Sequence, residues 1–320
     1  MSTSSGAPLL TTDQMATFVA RGFLRLDGVV PADINAQAME ELPRLFRGWL
    51  DEFVGIRHGE TSDRDHHPAG VVDDVVRPPR SGTTLANAYT PGSAFGRMVR
   101  VPIVAGAIAS LVGSDPVVDH HFVHLKNGGD LTAQGLHCDA IIDEGLAFDI
   151  QLFWFPHDVA PGAGGTRFVP SSHLRRVNMD DIARYQHLAG DEHFAGVAGT
   201  VVIFHHGLWH AGAPNRGDAV RVLGKLRLNP TQRQLRLWDT SDLAARNASD
   251  DHMFARTERG TVASLLRGSE LWFEPSVQRL EIVQRAKFWR YLTGDDGFDV
   301  DWYLTRTERR AALASAPVES

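Results

Sequence analysis

The sequence predicts a mainly β core, a sandwich or a barrel, with N- and C-terminal helices packed outside it. Two observations predict this. Residues 116–230 hold several short apolar runs, at 117–118, 122–125, 147–155, 166–169, 199–204 and 219–228, set apart by Gly, Pro and Asp turns. The segments before and after this region instead repeat their apolar residues at helical spacing. Strand following strand through turns suits a sandwich or barrel rather than a βαβ fold.

The elements follow in chain order. Residues 1–10 are small and polar and are expected to be flexible. Thr12-Asp13 reads as an N-cap before Met15, Phe18 and Val19, and Gly22 ends that helix. Phe23-Leu24-Arg25-Leu26 reads as a short strand up to Asp27-Gly28. Pro31-Ala32-Asp33 opens a second helix, running to about residue 53, with Met39, Leu42, Leu45, Phe46 and Leu50 on one side. Pro43 falls inside it, a place for a kink. Residues 55–90, with His58, His66, His67 and Pro78-Pro79, are barely periodic and read as a long excursion, a candidate active-site lid that helps choose the substrate. Helices are expected over 94–99 and 102–112, and then the β core.

Beyond the core, Leu280, Val283, Ala286 and Trp289 recur at three-residue steps before Gly294, and residues 306–314 resemble a polar terminal helix. Helices are therefore expected within 275–316, their charges forming a solvated face. With no internal repeat and no linker, residues 1–320 read as a single domain.

Composition narrows the function. The net charge of −7 sets nucleic-acid binding aside. The one cysteine, Cys138, removes intramolecular disulfides and thiolate-rich metal sites, and reads as a small buried residue. The longest nearly apolar stretch, 101–112, is too short to span a bilayer, and no basic residue precedes Arg21 as in a signal or transit peptide. The expectation is a soluble, cytoplasmic protein without a membrane partner, its oligomeric state undetermined. The 15 histidines direct attention to metal-ligand spacing.

In Leu136-His137-Cys138-Asp139, strand alternation would place His137 and Asp139 on one side and Cys138 on the other. One imidazole and one carboxylate can then grip a divalent ion together. Such a pair is common by chance, and its plain alternative is a polar surface strand. Leu208-Trp209-His210, after the apolar strand Val201-Val202-Ile203-Phe204, offers a remote third ligand, with His205 and His206 as competitors. Two histidines and one carboxylate on one face of an octahedral ion are the facial triad of non-haem Fe(II) oxygenases. After the turn 211–218, Arg221 stands eleven residues beyond His210, where a hairpin would return it beside that histidine. A guanidinium there suits a carboxylate; taken alone, Arg221 is more readily a partner for a surface acid.

With these residues on the page, the chain resembles the phytanoyl-CoA dioxygenase-like family of Fe(II)- and 2-oxoglutarate-dependent oxygenases. The likeness extends over about residues 10–230. It includes the opening helix and strand of 12–29, Leu125-Lys126 ahead of His137, and the Gly-rich stretch Gly164-Gly165-Thr166-Arg167-Phe168-Val169-Pro170-Ser171-Ser172-His173. The strand 199–210 completes it. The resemblance implies a double-stranded β-helix, or jelly roll, with helices outside. It implies His137, Asp139 and His210 as Fe(II) ligands, Arg221 for the distal carboxylate of 2-oxoglutarate, and Lys126 as a further hold on that cosubstrate. O2 is the second cosubstrate. The implied reaction oxidises a C–H bond of a small organic substrate and releases succinate and CO2; related halogenases lack the carboxylate, so Asp139 favours hydroxylation or another halide-free oxidation. The chain departs at Ser171, where the family often has Gly, and at Gly212, where it often has Ser.

Other residues have plainer readings. His120 and His124 share a strand face and His121 takes the other; packing or surface roles outweigh a second metal site. His173 reads as a hydrogen-bonded structural residue. Trp154 and Phe155 either line the pocket or fill the β core. Two rival functions remain at this level: a jelly-roll binding protein without catalysis, and a cupin-like metalloenzyme that does not use 2-oxoglutarate.

Overall fold

The computed structural model describes residues 6–57, 71–72, 75–76, 79–139, 146–175, 177, 179–184, 187–247, 260–273 and 278–301. The chain begins with α1 (Thr12–Arg21), β1 (Phe23–Leu26), α2 (Ala32–Arg57) and the two-residue strands β2 (Val71–Val72) and β3 (Val75–Val76). Three helices follow, α3 (Leu85–Ala88), α4 (Ala94–Met98) and α5 (Pro102–Val112). The β region comprises β4 (Val117–Lys126), β5 (Ile150–Phe155) and β6 (Thr166–Phe168), then α6 (Met179–Ile182), β7 (Glu192–His193), β8 (Thr200–His205), β9 (His210–Gly212) and β10 (Arg221–Asn229). Helices α7 (Leu243–Asn247), α8 (Val262–Leu266) and α9 (Gln278–Thr293) close the described chain.

Every named pairing is antiparallel. One five-stranded sheet runs β1-β8-β5-β10-β4, a three-stranded sheet runs β7-β6-β9, and β2 pairs with β3. The large sheet is buried on both faces, so β5 and β8 are mostly apolar, with Gln151 a buried polar exception in Ile150-Gln151-Leu152-Phe153-Trp154-Phe155. Alternation divides them. Ile150, Leu152, Trp154, Val201, Ile203, Val222 and Leu226 face a core shared with α1, α2, α4, α5 and α9. Phe153, Phe155, Val202, Phe204 and Leu223 face inward, toward Phe168 of β6. Phe168 bridges the two sheets, its ring 5.7 Å from Phe23 and 5.3 Å from Phe204.

Helices from both ends of the chain share the outer core, which extends from Leu10 to Val300. The N-cap of α1 is Thr11, one residue before the expected Thr12. Thr11 accepts from the Gln14 amide at 3.2 Å while the Gln14 side chain accepts from the Thr11 amide at 2.9 Å, a reciprocal capping box. Thr12 instead donates its hydroxyl to Asp242 at 2.6 Å, tying α1 to the segment before α7. Gly22 closes α1 at φ 83°; a Cβ there would come within 2.5 Å of His173 Nδ1, so both backbone and space require glycine.

Several expectations need correction. Helix α2 runs through Pro43 to Arg57, and Met39 is exposed although Leu42 and Leu45 are buried. Strand β5 starts at Ile150 rather than at 147. The segment around His137 and Asp139 is no strand; a single antiparallel bridge between His137 and His210 sets its path. Strands β9 and β10 do not form a hairpin, since β9 pairs with β6 while β10 pairs with β4 and β5. In the 55–90 stretch the end of α2, the β2–β3 pair and α3 are regular; most of 58–78 lies outside the described residues. So does the expected helix at 306–314.

Helix α9 is not a solvated face. Leu280 is exposed, while Glu281 and Arg285 are buried beside Val283, Ala286 and Trp289. Arg285 donates to the carbonyls of Leu266 (2.9 Å) and Gly268 (2.6 Å) and to Ser171 Oγ (2.7 Å). Ser171, at φ 66°, donates in turn to the Ala20 carbonyl at 2.7 Å. A left-handed non-glycine residue costs about 1–3 kcal/mol, and a hydrogen bond to a charged group returns about 1.5–3 kcal/mol. The arginine thus offsets the departure from glycine at this position.

Two histidines buried away from the cavity bear on acid stability. His121 is hydrogen-bonded to the Tyr89 hydroxyl at 2.6 Å, and His173 to the Val19 carbonyl at 3.1 Å. Burial pushes both down to about 3 from the ordinary 6.5. The unfolded chain therefore takes up protons below about pH 6.5 that the native chain refuses until about pH 3. Their contribution is complete above that window and is lost as the pH falls through it, at about 1.4 kcal/mol per pH unit for each histidine. Urea unfolding as a function of pH should show this decline, and His121→Phe should reduce its slope by about one proton; an unchanged slope in the variant would contradict the account.

Candidate metal centre

Three chain segments meet at the open side of the inner face. The His137 amide donates to the His210 carbonyl at 3.0 Å and the His210 amide donates back to His137 at 2.8 Å. This reciprocal pair brings two residues 73 positions apart onto one bridge, with ring centroids 4.6 Å apart. Nδ1 of His137 lies 2.9 Å from the Gly135 carbonyl, and Nδ1 of His210 lies 3.0 Å from the Leu208 carbonyl. A carbonyl can only accept, so each Nδ1 carries a proton, and in the neutral ring the lone pair then sits on Nε2.

Both Nε2 atoms turn toward Asp139. Oδ1 is 3.5 Å from His137 Nε2 and Oδ2 is 3.6 Å from His210 Nε2. One donor atom from each of the three residues lies within 4.8 Å of the others, and no second such cluster occurs among the described residues. Burial pushes His210 down to about 3, so it is neutral at physiological pH. Burial alone would raise Asp139, but nearby His210, Lys225 and His137, with the Lys225 hydrogen bond, hold its carboxyl below the usual range. Two imidazole lone pairs and an ionised carboxylate are a fitting donor set for Fe(II).

A cavity of about 260 Å³ lies against this cluster and is lined by His137, His210, Arg221, Lys126, Lys225 and Phe153, among others. Arg221 is reached across the inner face of β10 rather than by a hairpin. Its Nε donates to the Gly164 carbonyl at 2.8 Å and its Nη1 to the His124 carbonyl at 3.2 Å, which fixes the guanidinium while Nη2 has no protein partner among the described residues. Burial lowers Arg221 only to about 10, so it stays charged at neutral pH. Lys126 is the cross-strand partner of Arg221 and donates to Asp130 Oδ2 (3.2 Å) and to the Thr132 carbonyl (2.7 Å).

Neither aromatic residue considered for the pocket lines this cavity. Trp154 points to the helical side, donating Nε1–H to Asn35 at 3.0 Å and meeting Phe95 edge-on at 5.5 Å. Phe155 stacks on Phe194 at 3.8 Å, and Phe153 lines the cavity instead. His205 and His206, the competitors for the third ligand, are buried elsewhere. His205 stacks on Phe148 of the outer core, and His206 Nδ1 accepts from the Asp149 amide at 2.8 Å. His124 lines the cavity, while His121 packs in the outer core.

The sequence reading passed over Lys225 and Gln134. Lys225 forms an ion pair with Asp139 Oδ2, and Arg227 donates to the Asp139 carbonyl at 3.0 Å. The signal for both was the alternation Arg221, Leu223, Lys225, Arg227 along one face of β10. Gln134 Oε1 accepts from the Gly212 amide at 2.8 Å, closing the rim beside β9; its position in a loop offered no such pattern.

Among solved structures, the chain is similar to EctD from S. alaskensis in its apoform, at 18% identity over 72% of this chain and 80% of that one, with a TM-score of 0.48. It is similar to HygX from Streptomyces hygroscopicus with nickel and 2-oxoglutarate bound, at 15% identity over 70% and 88%, TM-score 0.47. A third is the non-haem α-ketoglutarate-dependent carbocyclase SnoK from nogalamycin biosynthesis, at 17% identity over 75% and 94%, TM-score 0.45. No curated protein matches the chain. The family profile described as phytanoyl-CoA dioxygenase (PhyH) matches residues 18–223, a span that runs from α1 into the start of β10 and carries His137, Asp139, His210 and Arg221. With well over half its length inside that match, the chain belongs to the phytanoyl-CoA dioxygenase family of non-haem Fe(II)- and 2-oxoglutarate-dependent oxygenases.

Proposed function

We propose that the protein oxidises a C–H bond of a small organic molecule, by hydroxylation or another halide-free oxidation, with His137, Asp139 and His210 as the Fe(II) ligands. The observation that carries this reading is the convergence of two imidazole Nε2 atoms and one carboxylate at a cavity that also receives a fixed guanidinium. Bound Fe(II) supplies oxygen activation coupled to conversion of 2-oxoglutarate to succinate and CO2.

The chain's own residues have separable tasks. The Gly135 and Leu208 carbonyls hold the two imidazoles in the ligating tautomer. Arg221, anchored by two carbonyls, offers its remaining N–H groups to the distal carboxylate of 2-oxoglutarate. Lys126 adds positive charge directly across the strand pair from it. Phe153 and Leu223 supply an apolar wall that limits water near the reacting centre. We further infer that the two facing antiparallel sheets, bridged by Phe168, are the halves of a jelly roll.

Two outcomes follow. Adding Fe(II) and 2-oxoglutarate without oxygen should produce a visible charge-transfer band, which Asp139→Ala or His210→Ala should abolish while far-ultraviolet circular dichroism stays native. A full band in either variant would remove these residues from the ligand set. Arg221→Ala should raise the Kd for 2-oxoglutarate about 10- to 100-fold, the worth of a charge-assisted hydrogen-bond pair, with little change in metal affinity. An unchanged Kd would place the distal carboxylate elsewhere.

A further inference from the structure

Lys225 is a buried ammonium inside a cavity wall, and its acidic contact is with a residue assigned above as a metal ligand. Its side chain is 10% exposed, its Nζ pairs with Asp139 Oδ2, and the Phe153 ring lies 5.8 Å from the charge. The other basic residues nearby are engaged differently. Arg227 is bound to Asp149 at 2.5 Å and to the Asp139 backbone, Arg221 to two carbonyls, and Lys126 to Asp130 and Thr132. Lys225 alone among these cations meets the carboxylate of the cluster.

The two oxygens of Asp139 are therefore not equivalent. Both lie at similar distances from an imidazole Nε2, Oδ1 at 3.5 Å and Oδ2 at 3.6 Å, so the carboxylate has the reach to chelate an ion with both. Lys225 occupies Oδ2. We infer that Lys225 is a positioning residue that reserves Oδ2 of Asp139, leaving only Oδ1 to the metal and so keeping a coordination position open for the cosubstrates. The assignment rests on the metal reading proposed above. It has a consequence opposite to that of an ordinary supporting contact. Loss of a partner that merely orients a ligand weakens metal binding, by about 10- to 100-fold. Loss of Lys225 removes a positive charge that competes with the ion for the same carboxylate and repels it across a low-dielectric site. It also frees Oδ2 to chelate. Metal binding should tighten, and the cosubstrate should lose a place at the metal.

The test is calorimetric titration of Ni(II) into chelator-stripped wild-type, Lys225→Met, Lys225→Gln and Lys225→Arg protein, followed by 2-oxoglutarate. The expected result is that Lys225→Met and Lys225→Gln bind Ni(II) at least ~10-fold more tightly and then bind 2-oxoglutarate more weakly, while Lys225→Arg follows the wild type. In thermal melts the two neutral variants should be less stable without metal, because Asp139 is left unpaired, and should gain more than wild type when Ni(II) is added. Gln serves as the second neutral variant should Met fail to fold. Ni(II) affinity that is unchanged or weaker in the neutral variants would overturn the assignment while leaving the metal reading intact. Failure of the wild type to bind Ni(II) would overturn both.

Discussion

The site depends on one small piece of backbone, the reciprocal hydrogen bonds between His137 and His210. Each closes a long excursion of chain, so its entropic cost is met by the rest of the fold rather than by the two bonds themselves. On one side the bridge continues into β9, which is anchored to β6 and through Phe168 to the large sheet. On the other side it leads directly to Asp139. If the bridge were absent, His210 would belong to a segment separate from His137 and Asp139. With it, they share one point in space, and the carbonyls of Gly135 and Leu208, each two residues before its histidine, set the same tautomer in both rings.

Strand β10 is the second organising element. Its inner face presents Arg221, Leu223, Lys225 and Arg227 in sequence, and its outer face presents Val222, Leu226 and Leu228 to the helical core. The apolar side pins the register, because a slip of one residue would turn four inward positions outward and bury the charges among aliphatic groups. Strands β4 and β5 on either side hold it along most of its length. Precision at the polar face is thus supplied by packing at the apolar one. The same division explains why Arg221 can sit in a largely dry wall: its charge is met by two carbonyls fixed in neighbouring segments.

Much of this was legible in the residues. The sheet announced itself because strands buried on both faces, such as β5 and β8, are mostly apolar, and helix α5 because Pro102 stands at its start. His137, Asp139, His210 and Arg221 were legible as residue types whose spacing suits one chemistry. What escaped notice was parity and partnership. Trp154 and Phe153 differ by one position, and only the placement of the helices decides which of them faces the cavity. Lys225 looked like any strand lysine until the neighbouring segment set Asp139 against it. Arg285 and Glu281 looked like helix surface, since nothing local shows that Ser171 and the Leu266–Gly268 carbonyls will surround the arginine. The path of 131–139 escaped for a related reason: it is held by contacts to β9 rather than by a ladder of its own.

The pairing of Gln134 with Gly212 gives the rim of the cavity a character of its own. The Gln134 amide donates to the Gly212 carbonyl at 3.0 Å and its side chain accepts from the Gly212 amide, while a Cβ on residue 212 would stand 2.9 Å from that same side-chain oxygen. The long side chain thus fills the space that the glycine leaves open. A hydroxymethyl group at 212 would push the Gln134 side chain off the Gly212 amide, so this edge of the pocket would lose a hydrogen bond rather than its backbone path.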